Sequence, residues 1–429
     1  MKRVLAFVLF IVFLIAGVLG FFAIPRSDKS HLIMAESYAI GPVPDAIRAV
    51  TTMTDYVKET LLHPSSDLPG YDDMLLFEDQ GFGLATATDG YIWKVDLKTG
   101  ASERLVRVPL VASGAVKVPG KPDVIYACSS RLYGEHHPDS ERVGVYEIHI
   151  STKEVLPVLT DVLIPPDVPI DPAKPGIVYK EGSAPKLKVS EFNASNSRPL
   201  AFCNDLAISP DAKRIYITTP YSYEGAAMGG GAFGEAITLA RNGLLWRYNL
   251  ENKTVELIAR DFNFIDGILT ERSDHSGEDS VLITETTKFR IDRLHLRGPK
   301  AGTHDVLWEY LPGMPDGLDR DSEGRIWVGI IKKRTGFITW AHRARWIKFS
   351  LLNFPQNWLP IPRQTAVLAL SADASTPLFF TEHDGSGLGE ISAVIPGKQH
   401  LYLANFRKNS RGVYSIPYPK GLQPEGEQK

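Results

Sequence analysis

Polar and apolar residues alternate with a period of two in six short stretches of this chain, each bounded by turn residues: 90–97, 144–150, 243–250, 289–296, 366–370 and 412–416. Successive side chains of a strand point to opposite faces, so this period predicts half-buried β-strands rather than helices. Upstream of each lies a second pattern. It is a short apolar strand, a turn rich in Asp, Gly, Pro or Lys, and another apolar strand. The first strands begin near Asp72, Ser113, Asn204, Asp266, Asp316 and Ile391, and the second begin at Leu84, Val124, Ile215, Val281, Ile326 and Leu401. Where nothing is inserted, one unit runs roughly 45–55 residues, the length of a four-stranded propeller blade. The expected fold is all-β: a six-bladed β-propeller over residues 70–420, with a seven-bladed ring or an irregular sandwich as the rival architectures.

Two spacings are stretched, to about 99 residues between the second and third copies and about 77 between the fourth and fifth. The excess falls in the Pro-rich segment 164–175 and the residues just after it, and in 332–362. Both read as insertions on blade tips. Segment 332–358 interleaves Lys332, Lys333, Arg334, Arg343, Arg345 and Lys348 with Phe337, Trp340, Trp346, Phe349 and Trp358. That predicts a basic-aromatic helical insertion, either packed on the ring or lying at a lipid surface. Segment 221–235 holds five glycines and is expected to be a mobile loop over the channel mouth.

The N-terminus breaks the strand pattern. From Val4 to Ile24 run 21 apolar or small residues, preceded by Lys2 and Arg3 and ended by Pro25. As a helix this run would span about 31 Å. The basic residues before it predict a membrane anchor over residues 1–30 with its N-terminus in the cytoplasm. A cleaved signal peptide is the rival, but the run is longer than the usual apolar core and no clear cleavage site comes after it. Residues 31–69 then form a linker and 421–429 a tail, and the propeller would lie in a periplasm, an ER lumen or outside the cell.

Composition adds exclusions. Net charge is −3 among 429 residues, which argues for no nucleic-acid partner. The 44% hydrophobic content allows a sizeable core, and there is neither a zinc-spaced Cys/His cluster nor a Gly-rich phosphate loop. The two cysteines, Cys128 and Cys203, make no disulfide framework; two buried inert thiols are favoured over one bridge.

In a propeller the first strand of every blade runs along the central axis. Asp72, Ser113, Asn204, Asp266, Asp316 and the 390–392 group therefore converge there. Uncompensated carboxylates in one place repel and lose solvation, and a cation removes both penalties. Asp72, Asn204, Asp266 and Asp316 offer hard oxygen donors, which suit calcium, or magnesium with retained waters. The competing reading is that Asp-Gly pairs merely mark turns.

Several motifs resemble strictosidine synthase-like proteins, grouped with the gluconolactonase/regucalcin and paraoxonase propellers. They are Phe202-Cys-Asn-Asp-Leu-Ala-Ile-Ser-Pro210, Asn242-Gly-Leu-Leu-Trp-Arg-Tyr248, Asp266-Gly-Ile-Leu269, Glu285-Thr-Thr-Lys-Phe-Arg290, Gly298-Pro-Lys-Ala-Gly302 and Leu311-Pro-Gly-Met-Pro-Asp-Gly317. The resemblance implies a catalytic calcium held at Asp72, Asn204, Asp266 and Asp316, although relatives usually carry Glu at the first position and Asn at the third. It also implies a Glu in the last blade, for which Glu390 is the nearest match. No histidine stands in 111–116, where a paraoxonase-type base would sit. Glu390 and Asp316 are thus the candidate catalytic residues. The expected activity is calcium-dependent hydrolysis of a lactone or aryl ester, a small-molecule substrate in the axial channel. The alternatives are a non-catalytic binding propeller and a metal-independent condensing enzyme. Membrane contact is expected through the N-terminal helix and segment 332–358. His383 beside Gly385 reads as a solvated loop histidine or a residue of the mouth.

Overall fold

The computed structural model describes residues 2–23, 37–63, 66–170, 176–223, 225–230, 232–271, 280–354 and 358–424. Antiparallel sheets built from the alternating stretches surround one axis, giving an all-β propeller. Four-stranded paths run over residues 71–107, 111–159, 206–262, 265–308 and 313–383. Their inner strands, together with Ile391–Pro396 of the C-terminal sheet, line a single axial cavity. Apolar faces of neighbouring sheets pack against each other and bury large side chains such as Trp246 and Trp327 completely. That burial is the main stabilising term of the fold.

The C-terminal sheet has only three strands of its own, Ile391–Pro396, His400–Asn405 and Ser415–Pro417. Leu62 takes the outer place: its N–H donates to Ser415 O at 2.8 Å and its carbonyl accepts from Ser415 N at 3.0 Å. Residues expected to be linker therefore close the ring. A sheet edge left open would expose unpaired backbone groups, and the N-terminal segment covers it.

The inner strands share one irregularity. Pairing register slips between Tyr71 and Met74, Ala112 and Ala115, Ile265 and Ile268, Pro315 and Leu318, and Ile391 and Val394. A bulge of this kind bends a strand and re-aims the side chain within it. Asp72, Ser113, Asp266, Asp316 and Ser392 all sit in these slips. Glycine follows three of them. A Cβ on Gly267 would stand 2.3 Å from Asp316 O, and one on Gly114 would strike the Asp205 side chain. The Asp-Gly pairs are thus positions of close strand approach at the axis, not hairpin turns.

Three expectations need correction. Cys128 and Cys203 form a disulfide, with Cα atoms 5.2 Å apart across a separation of 75 residues. The propeller brings the strand Lys121–Ser130 against the backbone just before Asn204, a contact that spacing alone does not reveal. The described residues of segment 221–235 are packed rather than loose. Tyr221, Ala226 and Met228 are buried, and Met228 bonds through its backbone to Arg131 and Tyr133. Its apolar residues outweigh the freedom of its glycines, and Gly225 and Gly229 serve positive-φ turns.

The third concerns the anchor. Helix α1 forms over Lys2–Ala23. No helix among the described residues is long and apolar enough to cross a membrane. Ile24, Pro25 and the flanking Arg26 and Lys29 lie outside the described residues. The predicted insertion is present as α5, Gly336–Ala341, and α6, Arg345–Asn353, numbered after α2 (Asp45–Ala49), α3 (Tyr56–Thr60) and α4 (Ala232–Thr238).

Candidate functional site

Asp72, Asn204, Asp266 and Asp316 meet on the axis, where all four line two separate cavities. Asn204 Nδ2 donates to Asp266 Oδ1. Thr286 Oγ1 donates to Asp266 Oδ2 at 3.1 Å. Asp266 also shares a hydrogen bond with Asp316. Threonines on the second strands hold the backbone at the axis: Thr284 Oγ1 donates to Asp316 O at 2.9 Å, and Thr218 Oγ1 accepts from Asp205 N at 2.9 Å. The side chains are thereby aimed from the backbone, before any ligand binds.

Burial pushes the Asp72 and Asp316 carboxyls well above the usual range, and the negative charge of Asp266 adds to both shifts. Burial likewise pushes Asp266 up to about 6, against hydrogen bonds from Asp316, Thr286 and Asn204. Among the described residues, no basic group is a main cause of these three shifts. Burial disfavours the charged form of each carboxyl, and a like charge nearby disfavours it further.

The remaining expected positions divide. Ser113 is turned aside and donates to Cys203 O at 3.1 Å. Ser392 lines the axial cavity and donates to Asp72 O at 2.8 Å. Glu390 lines the second cavity with the ring and pairs with Lys332, Nζ to Oε1 2.7 Å. Its backbone is left-handed, φ 64°, as are Leu110 and Phe264 just before two other inner strands. That strain belongs to the way strands enter the axis. Glu390 is the carboxylate among the three. His383 lies in neither described cavity. It is buried, with Nδ1 3.0 Å from Asp55 and Nε2 3.1 Å from Ser386 O, and it ties the N-terminal segment to the sheet.

The two cavities differ in chemistry. One, of about 520 Å³, runs along the inner strands and carries Asp73, Asp205, Asp319, Lys117 and Arg320. The other, of about 410 Å³, is walled by Phe202, Phe233, Phe264, Phe289, Phe337 and Phe406. Its roof is α4 and α5 with residues 359–362. α6 packs behind α4 through Ile347, Leu351 and Leu352 against Ile237 and Ala240. Lys348 is buried there, Nζ to Thr238 O 3.2 Å. Sequence periodicity missed this chamber because its phenylalanines come from loops, turns and two short helices far apart in the chain; it also missed Lys332 as the partner of Glu390.

Glu235 in α4 is fully buried, and Asn242 Nδ2 donates to it at 2.8 Å. Burial pushes its carboxyl up to about 8, from an ordinary 4.5, while Asn242 and Tyr223 pull it back. The folded chain thus keeps a proton that the unfolded chain releases between these values. Its contribution to stability is whole below pH 4.5 and is lost as pH rises through 8. Melting temperatures measured from pH 5 to 9 should fall more for the native chain than for Glu235→Gln; parallel curves would refute this.

The chain is 31% identical over 229 residues to the adipocyte plasma membrane-associated protein of Danio rerio, covering 52% of this chain and 54% of that one. Against the Homo sapiens protein of the same name the identity is 29% over 235 residues, covering 52% and 53%. Against STRICTOSIDINE SYNTHASE-LIKE 10 of Arabidopsis thaliana it is 27% over 249 residues, covering 56% and 63%. The chain thus matches about half the length of the first two relatives. Among solved structures, a putative gluconolactonase aligns with TM-score 0.49 at 12% identity, over 87% of this chain and 96% of that one. A Xanthomonas campestris gluconolactonase aligns at 0.49 and 11%, over 90% and 95%. No family model matches the chain.

Proposed function

We propose, for a chain that belongs with the strictosidine synthase-like propellers, that it is a calcium-dependent hydrolase of an apolar lactone or aryl ester, bound in the phenylalanine-walled end of a six-bladed ring. The blade count is supported by the six inner strands along the axis. The observation that carries the reading is the ring itself: three carboxylates and a carboxamide facing one another, with burial and mutual repulsion disfavouring the charged forms of Asp72 and Asp316. This all-oxygen set fits a hard divalent cation. Asp72, Asn204, Asp266 and Asp316 would hold it. When bound, calcium supplies Lewis-acid polarisation of a substrate carbonyl.

The other work falls to the chain's own side chains. The six phenylalanines bind the apolar acyl or aryl group and exclude bulk water, which strengthens every charge interaction inside. Glu390 is, among the described residues, the one carboxylate of this chamber outside the ring. Lys332 holds its Oε1, and the carboxylate is the proposed base taking a proton from the attacking water. Asp316 is proposed to serve both as ligand and in orienting that water. The full chain in detergent should hydrolyse apolar lactones or aryl esters, lose that turnover in chelator and regain it with Ca²⁺. Turnover indifferent to chelator would remove the metal. Inactivity across a broad ester and lactone panel would favour a binding propeller instead.

Membrane attachment is part of the same proposal. α1 exposes Phe7, Phe10, Phe13 and Leu14 and lies against α6, while Trp340, Trp346 and Trp358 of the insertion are also exposed. Tryptophans with nearby Arg343 and Arg345 suit a lipid interface. The Cys128–Cys203 disulfide supports placing the propeller on an oxidising, non-cytoplasmic side. The full chain should float with anionic phospholipid vesicles. A chain lacking residues 1–30 should float less, and one that also carries Trp346→Ala and Trp358→Ala should stay at the bottom of the gradient. Flotation unchanged by both alterations would contradict the attachment.

A further inference from the structure

The axial ring has two open sides, because Asp72, Asn204, Asp266 and Asp316 belong to the walls of both cavities. We propose that the two ends of the channel divide the traffic: the divalent cation reaches the ring through the carboxylate-lined end, past Lys117, and the apolar substrate through the phenylalanine-lined end. This rests on the reading of the ring as a cation site.

The carboxylate-lined end has the oxygen donors to receive a cation. Asp73, Asp205 and Asp319 stand beyond the ring along the inner strands. Two of them are fixed by the neighbouring backbone: Asp73 Oδ2 accepts from Ala115 N and Asp205 Oδ2 from Ile268 N, each at 3.1 Å. These clasps hold the strands together and fix carboxyl oxygens on the cavity wall. Carboxyl oxygens along this wall can replace the hydration a cation loses on entering, and Lys117 and Arg320 on the same wall oppose it. The other end is walled mainly by phenylalanines, and its one carboxylate outside the ring among the described residues, Glu390, is already paired with Lys332, so a cation would lose hydration there with less compensation.

Lys117 gives this end a control. It is exposed on the strand Val111–Val118, lines the polar cavity, and donates to Leu76 O with its ammonium 4.7 Å from the Phe77 ring centre. Glu78, Asp79 and Asp319 are its electrostatic neighbours. A tethered ammonium at the mouth competes with an arriving cation for the same carboxylates. Lys117 therefore sets how fast the ion enters, without being one of its ligands.

Stopped-flow mixing of the full chain in detergent tests this directly, with Ca²⁺ added to stripped protein for entry and a fluorescent chelator for release. Lys117→Met keeps the apolar stem and should speed entry about 5-fold, with a steeper salt dependence. Ile208→Trp, which fills the polar cavity, should slow entry and release by at least about 5-fold, whereas Met314→Trp in the apolar chamber should leave both within about 2-fold. Rates unmoved by Lys117→Met and Ile208→Trp, or slowed only by Met314→Trp, would overturn the route while leaving the ring intact. A native chain that binds no Ca²⁺ would overturn the ring reading and the route with it.

Discussion

Replacing Asp316 with asparagine should lower kcat/KM on the apolar ester or lactone by about 10²–10³-fold, the size seen when one group stabilising a developing charge is removed. The substitution keeps shape, turns one acceptor oxygen into an NH2 donor and removes the ionisable group, so a large loss would report the ion rather than packing. Stability gives a second readout of opposite sign. In chelator, Asp72, Asp266 and Asp316 repel one another without compensation, so Asp316→Asn should melt no lower than the native chain. With Ca²⁺ the order reverses, because only the native ring gains the binding free energy. Activity and melting behaviour unaltered by the substitution in both conditions would contradict the role assigned to Asp316.

Replacing Glu285 with alanine should destabilise the folded chain by about 3–5 kcal/mol, the usual cost of leaving one partner of a buried ion pair alone. Glu285 is fully buried and pairs with Arg290, which also faces Asp292 at 3.0 Å. The other carboxylate oxygen accepts from Asn263 N at 2.5 Å. Asn263 and the left-handed Phe264 lead directly into Ile265–Glu271, so the same carboxylate anchors the turn that delivers Asp266. Glu285→Gln keeps the backbone hydrogen bond and should cost less than the alanine substitution. Denaturant unfolding that placed Glu285→Ala within about 1 kcal/mol of the native chain would show the network to be dispensable.

Much of the fold was legible because a propeller repeats one unit. Period-two alternation marked the strands, and a residue at each inner strand's start marked the axis. Asp266-Gly267 and Asp316-Gly317 were ambiguous between turn and axis, since a bulge and a hairpin ask for the same residue types. Only the register of the paired strands separates them. Other features depend on the ring being closed. Leu62 reads as linker until Ser415 is beside it, and Cys128 reads as a free thiol until the backbone before Asn204 packs on its strand. The segment 221–235 misled because glycine content was weighed above Tyr221 and Met228, whose burial pins it. The phenylalanine chamber was invisible for a similar reason: its six rings come from separate stretches between residues 202 and 406 and share no spacing.

The claim on which the rest depends is that the axial ring binds one divalent cation. Isothermal titration of Ca²⁺ into chelator-stripped full chain measures this without presuming a substrate. One site per chain, lost in Asp316→Asn, is the predicted result. The absence of a binding isotherm, or an equal one for native and Asp316→Asn chains, would contradict it.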